Sequence, residues 1–97
     1  MGYIKPNDVH SPKNSWTLID VLEDRGESDT SIALGKWCKE NVLAIRWNGG
    51  AENELGSPQS RGLPTWFILP KHMFAPILES SEGIPQNKKV MARALLH

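Results

Sequence analysis

The chain has 97 residues, 39% of them hydrophobic, and its eleven basic and eleven acidic side chains cancel to no formal net charge. That balance argues against a strongly basic nucleic-acid binder and against a disordered chain, and the length allows one domain around one modest core. No apolar run approaches the roughly 20 residues a helix needs to cross a bilayer, and the single cysteine, Cys38, excludes an internal disulfide and a cysteine-rich zinc site.

Residues 1–14 hold Pro6, Asn7, Ser11, Pro12 and Asn14 without apolar periodicity, which predicts an extended or mobile arm ahead of a single α+β domain at 15–97. The opening Met1-Gly2-Tyr3-Ile4-Lys5-Pro6 lacks an apolar secretory segment, so a cytoplasmic location is expected. Trp16-Thr17-Leu18-Ile19-Asp20-Val21-Leu22 reads as a first strand, with a turn near Asp24-Arg25-Gly26-Glu27. The acidic cluster Asp20, Glu23, Asp24, Glu27 and Asp29 has no calcium-loop spacing and reads as a solvated strand end and turn.

Thr30 to Gly49 gives the clearest element, two strands joined by a tight polar turn. Each arm alternates by two, and each places a basic residue directly before a tryptophan, Lys36-Trp37 and Arg46-Trp47. One face is expected to collect Ala33, Gly35 and Trp37 with Leu43, Ile45 and Trp47. The other collects Ile32, Leu34 and Lys36 with Val42, Ala44 and Arg46, a division that changes if the turn at Lys39-Glu40-Asn41 slips the pairing. A pleated surface offering aromatic planes and cations has the ingredients of a platform for single-stranded nucleic acid. The competing reading puts both tryptophans in the core and both cations at its rim.

After Asn48-Gly49-Gly50, a segment rich in turn residues runs to Pro64 and is expected to hold no regular element. Its glycines expose backbone amides beside Arg61, a candidate phosphate contact, and without a Gly-Lys-Ser/Thr ending it is not a nucleotide-hydrolysing loop. Thr65-Trp66-Phe67-Ile68-Leu69 reads as a fourth strand buried on both sides, ended by Pro70. His72 to Glu79 reads as a helix with an apolar stripe of Met73, Phe74, Ile77 and Leu78; Pro76 requires it either to start late or to kink. Pro85 opens a short terminal helix over 86–96, striped by Val90, Met91, Ala94 and Leu95.

The order is therefore an antiparallel four-stranded sheet, a kinked helix and a short C-terminal helix. Within it, Val42-Leu43-Ala44-Ile45-Arg46-Trp47, the loop Pro58-Gln59-Ser60-Arg61-Gly62 and Phe67-Ile68-Leu69-Pro70 follow one another in the order strand, basic loop, apolar strand and helix start. Over about residues 30–80 this resembles the positive-cofactor-four family of transcriptional coactivators, small single-stranded-DNA-binding proteins. The resemblance implies a curved sheet, a helix used for dimerisation, and a sheet face that packs unpaired bases on aromatics while cations hold phosphates.

The expected function is thus a small dimeric module binding single-stranded DNA or RNA, a transcription or replication accessory factor. Its contacts would be Lys36, Trp37, Arg46, Trp47, Arg61 and Lys71. The alternative is a protein-interaction module without nucleic-acid binding. An enzyme is not expected, nor a metal or cofactor: His10, His72 and His97 show no metal-pair spacing, and Cys38 has no base near it in sequence.

Overall fold

A computed structural model describes residues 3–96. Its strands are β1 (Trp16–Asp24), β2 (Thr30–Trp37), β3 (Glu40–Trp47), β4 (Gln59–Ser60), β5 (Leu63–Pro64) and β6 (Phe67–Ile68), followed by helices α1 (Phe74–Ser80) and α2 (Gln86–Leu95). The main sheet has the order β1-β2-β3-β6, with every pairing antiparallel, and β4 and β5 form a separate small hairpin. The fold is therefore the α+β arrangement expected, although its fourth strand is much shorter than the apolar run around it. Met1, Gly2 and His97, the ends of the expected arm and the last histidine, lie outside the described residues.

The β2–β3 hairpin fixes which side chains share a face. Trp37 pairs with Glu40, leaving only Cys38 and Lys39 in the turn, and both have positive φ, 52° and 78°. Such a pair is what a two-residue primed turn demands, because its twist matches that of the strands it joins. The register that results sets Ala33 opposite Ala44, Leu34 opposite Leu43, Ser31 opposite Arg46 and Thr30 opposite Trp47. Residues directly opposite share a face, so the expected division is corrected. Trp37, Gly35, Ala33 and Ser31 lie with Val42, Ala44 and Arg46, while Lys36, Leu34 and Ile32 lie with Leu43, Ile45 and Trp47. The two tryptophans are on opposite faces, and the strand length sets them about 23 Å apart along the hairpin.

Both faces are covered, by different parts of the chain. Over the first lies Trp16, whose ring sits where a side chain at Gly35 would stand, and Trp16 meets Trp66 with ring centroids 5.9 Å apart. The Trp66 indole donates to the Val9 carbonyl at 2.9 Å. The N-terminal segment is consequently no free arm. Pro6 and Val9 are buried, the Ile4 amide donates to the Glu54 carbonyl at 3.1 Å, and Ser11 bridges Thr65.

The helices cover much of the second face. Asn41 donates through Nδ2 to the Leu95 carbonyl at 2.8 Å, and Lys88 Nζ donates to the Val21 carbonyl at 2.7 Å while pairing with Asp20 at 3.4 Å. Lys88 thereby covers part of edge strand β1, which bulges after Leu18 and again after Val21, two devices that blunt an open edge. Ala92, with no exposed surface, marks the close approach of α2, so its packed stripe is rotated from the expected one and leaves Val90 exposed. A 3-10 turn at Lys71–Met73 runs into α1, placing Pro76 in the first α turn, where its missing amide hydrogen costs nothing. Phe74 and Leu78 face inward from α1 as expected, whereas Met73 is exposed.

Candidate functional site

The six candidate contacts do not form one strip. Arg46, expected as a phosphate contact, is only 2% exposed. Its register on β3 turns it toward the face covered by residues 55–66, where its guanidinium donates to the carbonyls of Thr65 and Leu55. Leu55 and Thr65, which flank the β4–β5 hairpin, are thus tied to the core by one planar cation, which suits two acceptors at once. Burial lowers the Arg46 guanidinium from its ordinary value to about 10, so it stays protonated at neutral pH. Its Nε hydrogen has no protein partner. Arg46 is accordingly a structural residue, unavailable to a ligand strand.

The other candidates divide between the two ends of the hairpin and the small β4–β5 loop. Trp37 is half-buried and lines a groove of about 480 Å³ with Lys71, Phe74 and Leu96. Lys36 is exposed and lies beside Cys38 and Lys39 in a shallower hollow near the turn. Arg61 is exposed at the tip of the β4–β5 turn, where it and Gly62 have φ of 54° and 78°. The segment expected to hold no regular element therefore makes a second primed hairpin, with strands of two residues each. Asn48 braces the opposite end of the main hairpin: it accepts from Ser31 Oγ at 2.7 Å and donates to the Gly26 carbonyl at 2.8 Å and to Asp24 at 3.2 Å. Tyr3 also donates to Asp24, at 3.2 Å, and desolvation followed by the Asp24 charge raises the Tyr3 hydroxyl above its ordinary value.

The most exposed aromatic surface is the corner where β3 meets β6. Trp47 is 57% exposed and Phe67 54% exposed. Phe67 pairs with Ile45 across β3–β6, so Ile45, Trp47 and Phe67 share the second face where the helices do not cover it. Together with Pro58 they line a hollow of about 230 Å³. Trp47 is held in place by its backbone, which donates to Ser57 at 2.7 Å and accepts from it at 3.0 Å. The expectation of a fourth strand buried on both sides fails at Phe67: β6 spans two residues, is the edge strand of the sheet among the described residues, and its Phe67 face is left open beside Trp47. Pro64 and Pro70, bracketing that run, are the sequence signal for so short a strand.

No protein-family model, no curated protein and no solved structure matches this chain. Among the described residues, no helix is long and apolar enough to cross a membrane.

Proposed function

We propose that this chain is a protein-interaction module whose docking surface is the aromatic corner formed by Trp47 and Phe67 with Ile45 and Pro58. The observation that carries the reading is the contrast among its tryptophans. Trp16 and Trp66 are buried and Trp37 is half-buried, whereas Trp47 is left open beside a second open aromatic on the same face. Large aromatics side by side in water gain little for the fold, and tryptophan anchors are where interface energy concentrates. The test is selection of a random displayed peptide library on the wild-type protein, with Trp47→Ala/Phe67→Ala as the counter-target. Peptides retained by the wild type and lost on the double variant are expected; failure to enrich any such peptide removes the reading.

Binding of single-stranded DNA or RNA is the second reading, favoured by Lys36, Lys39 and Lys71, all exposed near the turn end of the hairpin that carries Trp37. The resemblance to the positive-cofactor-four family adds to it. A short oligothymidylate titrated at low salt is expected, on this reading, to move the Trp37 indole signal and to lose affinity with a log–log salt slope of roughly −2 to −3. An unmoved Trp37 signal rejects it. Homodimer formation through the exposed apolar side chains Met73, Val90 and Leu95 belongs to the same proposal; a sedimentation profile that stays monomeric at high concentration removes it.

A further inference from the structure

Trp47 walls two hollows, and they differ in chemistry. On one side lie Phe67, Ile45 and Pro58, with the largely buried Arg46 contributing to the same lining. On the other, a wider hollow of about 520 Å³ is floored by Gly49 and Gly50 and bordered by Ser28, Asn53 and Glu52. Glu52 is exposed and has no ion-pair partner among the described residues. A second carboxylate stands nearby, since a side-chain carbon at Gly50 would lie 3.6 Å from Glu27 Oε2, and Glu27 is likewise exposed and unpaired among the described residues.

The cations close to this end are already committed. Arg25 faces Glu23 at 3.7 Å and Asp29 at 3.3 Å, and Arg46 is buried with its guanidinium on two backbone carbonyls. The wider hollow beside Trp47 is therefore bordered by two carboxylates without an ion-pair partner among the described residues, although the sequence placed a basic residue directly before its tryptophan.

Resting on the interaction-module reading above, we propose that the docked partner is a basic peptide: an apolar side chain enters the hollow beside Phe67, and a neighbouring lysine or arginine crosses the indole of Trp47 toward Glu52 and Glu27. A cation over an indole face is attracted by the negative π cloud, and carboxylates behind it add a charge complement without needing a buried ion pair. The floor is closely packed backbone, since a side chain at Gly49 would strike the Asn53 carbonyl and one at Gly50 the Ser28 hydroxyl. A phosphate backbone is the wrong complement for this rim.

The experiment uses three amidated peptides of identical length, glycine-serine-lysine-leucine-serine-glycine and its analogues with norleucine or glutamate in place of lysine. Each is titrated against the full chain while the Trp47 indole resonance is followed. The lysine peptide is expected to bind about 5-fold more tightly than the norleucine one and the glutamate peptide most weakly; added salt should narrow the spread. Glu27→Gln/Glu52→Gln, two exposed changes, should erase the lysine advantage while leaving the norleucine peptide unaffected. Equal affinities for all three peptides, each lost on Trp47→Ala, would overturn the basic-partner inference and leave the interaction module standing. No movement of Trp47 with any peptide, or a stronger response to oligothymidylate than to the lysine peptide, would also overturn it.

Discussion

Replacing Arg46 separates a structural cation from a ligand contact. Arg46→Met keeps most of the side-chain length and removes the guanidinium, leaving the Thr65 and Leu55 carbonyls without the donor they have in the folded chain. An acceptor stripped of its partner in a dry site costs about 1–3 kcal/mol, and here there are two. Part of that loss is returned because a charge no longer has to be buried, so the net destabilisation should be about 2–4 kcal/mol. At this chain length each kcal/mol moves the melting temperature by roughly 4–8 °C, and Arg46→Met should melt about 10–25 °C below the wild type. Arg46→Lys, which keeps the charge but not the planar fork, should fall between them. Circular dichroism during heating and in urea reads both. A variant that melts within about 2 °C of the wild type would refute the assignment, since by the same arithmetic the two carbonyls would then have lost almost nothing. A fully stable Arg46→Met with weakened oligonucleotide binding would return Arg46 to the ligand surface.

The four tryptophans should sort in the same assay: Trp66→Ala, which empties a buried site and frees the Val9 carbonyl, should cost about 3–5 kcal/mol, whereas Trp47→Ala should cost less than about 1 kcal/mol. Equal losses would mean that Trp47 is packed. Cys38→Asn/Lys39→Gly should stabilise the hairpin by about 1–2 kcal/mol, because residues with side chains now hold the positive φ that asparagine and glycine adopt readily; an unchanged or lowered melting temperature would contradict the turn assignment. The pH dependence of Arg46 has a definite sign. Its folded value is lowered by burial to about 10, below that of the unfolded chain, so the folded chain releases this proton first as pH rises. The penalty of burying the charge is present below about pH 10 and is relieved as pH rises through that value, where wild type should gain on Arg46→Met. Below about pH 9 the difference should be flat, and urea midpoints of the two proteins across that range check it.

The hairpin was legible because alternation by two over Thr30–Trp47 is a local property, and the first arm keeps its expected ends while the second starts at Glu40, taking in two residues expected in the turn. Its register was not. Whether the turn holds two residues or more depends on Cys38 and Lys39 accepting positive φ, and neither residue type announces that conformation. A shift of one residue in one arm reassigns every cross-strand neighbour, which is how two tryptophans expected on one face came to lie on opposite faces. The N-terminal segment misled for another reason. Its prolines and asparagines predict an extended or mobile arm, whereas Pro6–Asp8 form a 3-10 turn and the Val9 carbonyl is held by Trp66, 57 residues away.

The two basic–tryptophan dipeptides show why surface chemistry is harder to read than secondary structure. Neighbours on a strand point to opposite faces, so a cation and the aromatic after it cannot both serve one ligand on one sheet surface. In Lys36-Trp37 the cation is exposed and the ring is partly covered; in Arg46-Trp47 the order reverses, with the ring open and the cation inside. What decides between these outcomes is the cover on each face at that level. Residues 55–66 close over Arg46, while the contacts made by α2 fall on β1 and on the turn end of β3, away from Trp47. Glu52, 5 positions after Trp47, lines the same hollow, and Glu27, 20 positions before it, stands beside Gly50 on the floor of that hollow. On the basic-peptide proposal, the charge of the partner is set by these loop carboxylates and not by the basic residue that precedes Trp47 in sequence.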